Sequence, residues 1–185
     1  MHCPCCGSDF RRFLSYPTAL CPRCGSYERQ RLLCLYLQTH PKLLSGTTRV
    51  LHVAPEECIR DRVVEAGPGA YLSIDLEYPQ AMRHMDLTDL DLVDESYDLI
   101  FASHVLDAVA DEEAAIRELH RVLAPGGAVV VQAPSVDSDE ARLVAALTSV
   151  GFAVDVESVP EQADEAARAH LGLLPEERVL LCRTI

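Results

Sequence analysis

Eight cysteines stand among 185 residues, and four of them fall into a repeated unit. Cys3-Pro4-Cys5-Cys6-Gly7 and Cys21-Pro22-Arg23-Cys24-Gly25 are two CPxCG units, with 14 residues between Cys6 and Cys21. The C-x-x-C spacing turns both thiolates of a unit toward one ion. The glycine that follows permits the tight turn that aims backbone amides at sulfur. Cys3, Cys6, Cys21 and Cys24 are therefore a candidate tetrahedral thiolate set, which prefers Zn2+; closed sites of that kind are structural rather than catalytic. A redox C-x-x-C pair leaves the duplication unexplained, and disulfides are disfavoured in a reducing compartment. Cys5 is the spare cysteine of the first unit, and His2 is a competing ligand. Cys34, Cys58 and Cys182 lie inside apolar segments and are expected to be small buried residues.

A second stretch with chemical content is Arg49–Glu57, RVLHVAPEE: a short apolar run, a proline, then two acids. It has the outline of a buried strand turning into a helix, where nucleotide-binding α/β folds place a glycine-rich loop. It contains no glycine. Asp75 ends the next apolar run about 20 residues after that turn, where a carboxylate accepts both hydroxyls of a ribose or merely closes a strand. Asp86, in RHMDLTDLDL, either accepts a proton from an adenine amino group or caps a turn. Ser103-His104 ends a third apolar run.

The elements that must position these residues are legible as alternating short apolar runs and amphipathic stretches. Strands are expected at Arg49–Ala54, Tyr71–Asp75, Tyr97–Ala102, Ala128–Ala133, Ala153–Ser158 and Arg178–Arg183. Helices are expected at Glu56–Ala66, Asp111–Leu123 and Asp139–Val150, with another over Glu161–Pro175. Asp111 is the N-cap of its helix, Ala115, Ile116, Leu119, Val122 and Leu123 form its apolar face, and Pro125-Gly126-Gly127 turns the chain into the next strand. SYERQRLLCLYLQTHP reads as a helix capped by Ser26. It must pack on the chain beyond Pro41, because the cysteine module is too small to bury it. Near-continuous apolar strands alternating with helices predict an α/β, doubly wound, mostly parallel sheet, with ligands at the carboxyl ends of the strands.

Composition narrows the class further. Mean hydropathy of +0.07 and the lack of a 20-residue apolar run exclude a membrane span, and MHCPCCGSDFRRF has no apolar leader. A cytoplasmic location is the default expectation. The net charge of −13 is uneven: residues 1–49 hold seven basic and two acidic side chains, against nine and 27 in the remainder. We read the two parts as complementing each other across their contact. The acidic remainder disfavours nucleic acid, as do a 5% aromatic content and the absence of tryptophan.

The ordered series VLHVAPE, YLSIDL, HMDLTDL, ESYDLIFASHVLDAV and ELHRVLAPGGAVVVQAP, followed by LVAALTSVGFAV, resembles class I S-adenosylmethionine-dependent methyltransferases. CPRCGSYERQR joined to VLHVAPE is similar to a subgroup whose methyltransferase domain follows a small zinc-binding module. The resemblance implies a Rossmann-like sheet with an antiparallel last strand, preceded by a zinc-ribbon-like module. The implied division is residues 1–45, module and linking helix, and 46–185, the methyltransferase domain. It implies S-adenosyl-L-methionine as cofactor, held by Ala54, Pro55, Glu56, Asp75, Leu76, Asp86, Leu87 and Ser103. Asp75 would hold the ribose, and Asp86 with Leu87 would frame the adenine. Glu56 stands ready to pair with the cofactor's ammonium, or else only complements the helix dipole. Ala54 and Pro55 stand where the family's usual loop has glycine and a small residue, and His52 where an acidic residue is common; S-adenosylmethionine carries no pyrophosphate for a backbone to approach.

In-line transfer from an activated donor asks the protein mainly for alignment and exclusion of water. His104 is the first candidate base and Asp107 a further catalytic candidate, with His84 behind them; a histidine satisfied by backbone groups is the rival reading of His104. Where the subgroup's fourth-strand motif ends in Glu-His, this chain has Asp107-Ala108. The expected activity is methylation of a small molecule, a sugar or a natural-product intermediate. The rivals are an RNA methyltransferase that grips its substrate with the zinc module, and a non-catalytic assembly module.

Overall fold

The computed structural model describes residues 1–14, 19–133, 137–157, 165–173 and 178–185. Two short strands, β1 (His2–Cys3) and β2 (Ser8–Asp9), pair antiparallel around the first cysteine unit. Helix α1 (Glu28–Thr39) follows the second unit, and a 3-10 turn at Pro41–Leu43 leads to the main sheet. Its strands are β3 (Arg49–Val53), β4 (Ala70–Asp75), β5 (Arg83–His84), β6 (Tyr97–Ser103), β7 (Leu123–Ala133), β8 (Phe152–Glu157) and β9 (Arg178–Thr184). The helices between them are α2 (Glu57–Glu65), α3 (Glu112–Val122), α4 (Asp137–Val150) and α5 (Glu165–Leu171).

The spatial order is β5-β4-β3-β6-β7-β9-β8. The pairs from β5 to β7 are parallel, and β9 inserts antiparallel to both β7 and β8. This is the expected Rossmann-like sheet with an antiparallel last strand. Alternation along each strand explains why the runs read as continuously apolar. Leu51, Ile100, Ala102, Val129, Val131, Leu180 and Cys182 face α3 and α4. Val50, Leu99, Phe101, Ala128, Val130, Val179 and Leu181 face α1 and α2. A strand covered on both sides has no position at which a polar residue is free of cost.

Helix α1 does pack on the sheet, through Leu32, Leu33, Tyr36 and Leu37. Arg31, on the same helix, is fully buried. Its guanidinium donates to Ser26 O (2.7 Å), Leu171 O (2.9 Å) and Gly172 O (2.7 Å) and lies 4.0 Å over the Phe13 ring. One side chain thus ties the second cysteine unit to the end of α5. Gln38 and Arg62 both donate to Pro4 O, at 3.1 and 2.7 Å, and hold the first unit against α1 and α2.

Several expectations need adjustment. Ser26 does not cap α1: the N-cap is Tyr27, whose amide donates to Gln30 Oε1 at 2.9 Å, while the Ser26 hydroxyl turns to sulfur. The Pro125-Gly126-Gly127 turn is absorbed into the start of β7, where the register against β6 shifts between Tyr97 and Leu99. Gly126 takes a φ of +77°, and a Cβ on Gly127 would lie 2.9 Å from two carbonyl oxygens, so the bulge needs both glycines. Strand β5, too short to show periodicity, went unanticipated. Of the helix expected over Glu161–Pro175, residues 161–164 and 174–175 lie outside the described residues, as does Ser158 of the β8 expectation. No helix among the described residues is long and apolar enough to cross a membrane.

Candidate functional site

The chain steps outward from β3 to β4 and β5, then returns to place β6 on the other side of β3. Loops leaving β3 and β6 therefore diverge, and a crevice opens above their carboxyl ends. Register sets the level of the candidates. Val53 lies opposite Ile74 on one side and Ala102 on the other, so Ala54, Asp75 and Ser103 emerge together.

The cleft has a volume of about 400 Å³. Val53, Leu76, Met85, Leu87, Val105 and Val109 provide its apolar surface, while Asp75, Asp86, Thr88 and Asp111 provide polar edges. Four expected residues, Asp75, Leu76, Asp86 and Leu87, come together here. Asp75 Oδ1 accepts from the amides of Glu77 and Tyr78, both at 2.8 Å, so it organises its own turn. Its Oδ2 accepts no bond among the described residues. Asp86 Oδ1 accepts from the amide (2.9 Å) and hydroxyl (2.7 Å) of Thr88, and these bonds hold its carboxyl below the usual range. Asp111 accepts from the Ala114 amide at 2.9 Å as the α3 N-cap, as its position in the sequence requires. Met85, Val105 and Val109 were not anticipated as lining residues, because apolar side chains in a connection carry no chemical signature.

The bend after β3 shows how a loop without glycine is made. Ala54 adopts a φ of +48°, the left-handed region that glycine would occupy without strain. His104, at the matching end of β6, has a φ of +51°. Two non-glycine residues held there at adjacent strand ends mark this rim as a strained, over-determined place. Pro55 is buried beside Ala54. Glu56 is the N-cap residue of α2, but its side chain makes no capping bond. Its carboxylate turns inward, 13% exposed, with Oε2 3.4 Å from Nε2 of the fully buried His52. The Tyr71 hydroxyl lies 3.0 Å from His52 Nδ1. A carboxylate can only accept, so the Nε2–H tautomer donates to Glu56 and Nδ1 accepts from Tyr71. Helix-dipole complementation thus falls to the exposed Glu57, and Glu56 is oriented from beneath.

At the β6 end, the Ser103 hydroxyl donates to Gln132 Oε1 at 2.9 Å, and Gln132 Nε2 donates to Arg29 O at 2.9 Å. Ser103 therefore anchors α1 to the sheet. The His104 amide donates to Gln132 O at 3.1 Å. Burial, reinforced by the nearby Arg29 charge, pushes the His104 imidazole below its ordinary value; Asp107 and Glu56 oppose this. A depressed imidazole is neutral at physiological pH and can accept a proton. Arg29 itself was not singled out by the sequence. Its Nε is buried without a hydrogen-bond partner among the described residues. Asp107 and His84 are both exposed, and neither lines the cleft.

The two cysteine units converge on one point. Cys3, Cys6, Cys21 and Cys24 bring their Sγ atoms within 4.8 Å of one another. The Cys3–Cys24 and Cys6–Cys21 separations are 3.7 and 3.8 Å. Four thiolates at the usual zinc–sulfur length of about 2.3 Å stand about 3.8 Å apart, so the set fits a tetrahedral zinc ion. Gly7 and Gly25 take φ values of +65° and +69°, which fold each unit back on itself. The Ser26 hydroxyl lies 3.3 Å from both Cys3 and Cys24 Sγ, a placement suited to a donor toward thiolate charge. His2 pairs with Asp9 at 3.0 Å.

Comparison with known proteins agrees with this architecture. Residues 43–131 match the model of the methyltransferase domain family. No curated protein matches the chain. An S-adenosylmethionine-dependent methyltransferase from Mesorhizobium loti is 19% identical, with a TM-score of 0.60 over 81% of this chain and 96% of that one. The [4+2]-cyclase SpnF is 17% identical, with a TM-score of 0.66 over 86% of this chain and 82% of its own. A chain from the complex between the Haloferax volcanii Trm112 methyltransferase activator and a methyltransferase is 13% identical. Its TM-score is 0.62, over 84% of this chain and 93% of that one. At these identities the likeness is one of fold.

Proposed function

We propose that this chain, whose residues 43–131 match the methyltransferase domain family, transfers a methyl group from S-adenosylmethionine to a small molecule. The observation that carries the reading is the cleft itself: one carboxylate, Asp75, with an oxygen to spare, beside an apolar slot at the switch point of the sheet. Leu76, Met85, Leu87 and Val105 offer the slot an adenine needs, and Asp86 with the Leu87 backbone forms its polar edge. Asp75 Oδ2 accepts from the ribose. Glu56, held by His52, supplies negative charge at the bend for the cofactor's ammonium, and the buried Nε of Arg29 is a donor for its carboxylate. When bound, the cofactor supplies an activated methyl on a positively charged sulfur. Ser103 and Gln132 fix the floor beneath His104, and His104, neutral by burial, takes the acceptor's proton. Positioning of this kind accounts for about 7–11 kcal/mol of a barrier.

A small acceptor fits the electrostatics better than a nucleic acid. Asp75, Asp86 and Asp111 ring the cleft, with Asp107 close by, and a carboxylate rim repels phosphate. In this reading the four cysteines hold a structural zinc within residues 1–45, and residues 46–185 form the methyltransferase domain. Calorimetric titration of zinc-loaded protein with S-adenosylmethionine tests the proposal. Saturable one-to-one binding and a raised melting temperature are expected; absence of both refutes it.

A further inference from the structure

Apart from the four-thiol set, the described residues hold one more group of clustered metal-ligating side chains, Cys5, Cys34 and Cys58. They come from three separate elements: the turn between β1 and β2, the middle of α1 and the first turn of α2. Their Sγ atoms all lie within 4.8 Å of one another. Cys34 is fully buried, and Cys5 and Cys58 are half-buried. The expectation of a small buried residue holds for Cys34, whereas Cys58 is half-buried, and both stand in a thiol group that the sequence did not show. Cys182 shows the contrast, buried among apolar side chains of the α3–α4 face and belonging to neither thiol group.

Three thiols converging from three elements match what one ion demands. Thiolates at about 2.3 Å from a shared metal stand about 3.8–4.0 Å apart, so a small closure of the observed group suffices. A disulfide would join two sulfurs, leave the third without a role and require an oxidant. Charge is also provided for. Arg62 Nη2 donates to Pro4 O at 2.7 Å, next to Cys5, and its Nε is buried with no hydrogen-bond partner among the described residues. A guanidinium fixed there offsets the excess negative charge of a three-thiolate complex.

We propose that Cys5, Cys34 and Cys58 form a second metal site, for a thiophilic d10 cation, which pins the first cysteine unit to α1 and α2. Three thiolates, with no fourth side-chain donor grouped with them among the described residues, suit a trigonal cuprous ion, or a zinc ion completed by a small exogenous ligand. Loading releases thiol protons to solvent and involves no change of oxidation state. The inference is independent of the reading of the cleft.

The test counts ions on the reduced full chain. Protein refolded with zinc is expected to retain two ions per chain, as is Cys182→Ala; Cys58→Ala is expected to retain one. In a second arm, protein already carrying one zinc is offered cuprous ion from a chromophoric chelator. One equivalent is expected to pass to the parent and none to Cys58→Ala. Uptake of the second ion in either arm, with a rise in melting temperature that Cys58→Ala lacks, supports the site and identifies which ion it takes. Should Cys58→Ala fail to fold, Cys5→Ala carries the same comparison. A single ion per chain in both arms, or equal uptake by parent and variant, overturns the proposal.

Discussion

Replacement of Asp75 separates two jobs that its carboxylate performs. Oδ1 accepts two amides at 2.8 Å and shapes the turn after β4, while Oδ2 is available to a ribose hydroxyl. Asp75→Asn keeps an oxygen for the amides and places an NH2 group where an acceptor is required. It should therefore cost one hydrogen bond to a charged group, about 1.5–3 kcal/mol, or about 10–150-fold in affinity for S-adenosylmethionine. Because Asp75 is partly exposed, the lower end applies unless the bound nucleoside excludes water. Asp75→Ala loses the same bond and both turn contacts. It should bind still more weakly and melt about 2–8 °C lower, from about 1–2 kcal/mol of lost turn stability. Calorimetric titration and thermal melts of the two variants read these quantities side by side. If Asp75→Asn binds as tightly as the parent while Asp75→Ala merely melts earlier, Asp75 is a turn residue and the cleft has been assigned to the wrong ligand.

Other outcomes are expected from the same geometry. Ala54→Gly removes the strain of a φ of +48° and should be neutral to about 1 kcal/mol stabilising, whereas Ala54→Val should cost about 2 kcal/mol; denaturant unfolding measures both. His104 has a folded pKa below the unfolded value of about 6.5, so the unfolded chain takes up a proton first as pH falls and stability is lost below that point. The melting temperature of the parent should thus drop more between pH 7 and pH 5 than that of His104→Asn, a residue that tolerates the left-handed backbone. Arg31→Met leaves one buried and two half-buried carbonyls without their donor and should destabilise by about 3–5 kcal/mol, read by chemical denaturation. Cys24→Ala should release the zinc of the four-thiol set, and protease should then cut within residues 1–27 well before the sheet; equal protease resistance would show that the module holds itself together without metal.

Local rules placed most of the elements. The two CPxCG units close on one point because C-x-x-C spacing and a left-handed glycine are properties of a few consecutive residues. The strands and α3 were legible for a similar reason: apolar runs, the Asp111 cap and the Ala115–Ile116–Leu119 face are short-range patterns. Asp75 and Asp86 could be singled out because each ends or follows a recognisable run. Ser26 misled because a serine before a helix satisfies the capping rule, whereas two sulfurs brought from Cys3 and Cys24 compete for its hydroxyl. Strand β5 and the apolar lining at Met85 and Val105 carried no pattern to read.

By itself, then, the amino-acid order marked the strands and helices, the two C-x-x-C units and the acidic side chains at strand ends, since each of these rests on neighbours within a few positions. Tertiary structure alone decided what depends on distant segments meeting. It gave Ser103 to Gln132 and Arg29, buried Arg31 under α5 and gathered Cys5, Cys34 and Cys58 from three elements. Partner choice for a buried polar or thiol group is settled by which group stands within reach once the helices have packed, and sequence separation does not encode that.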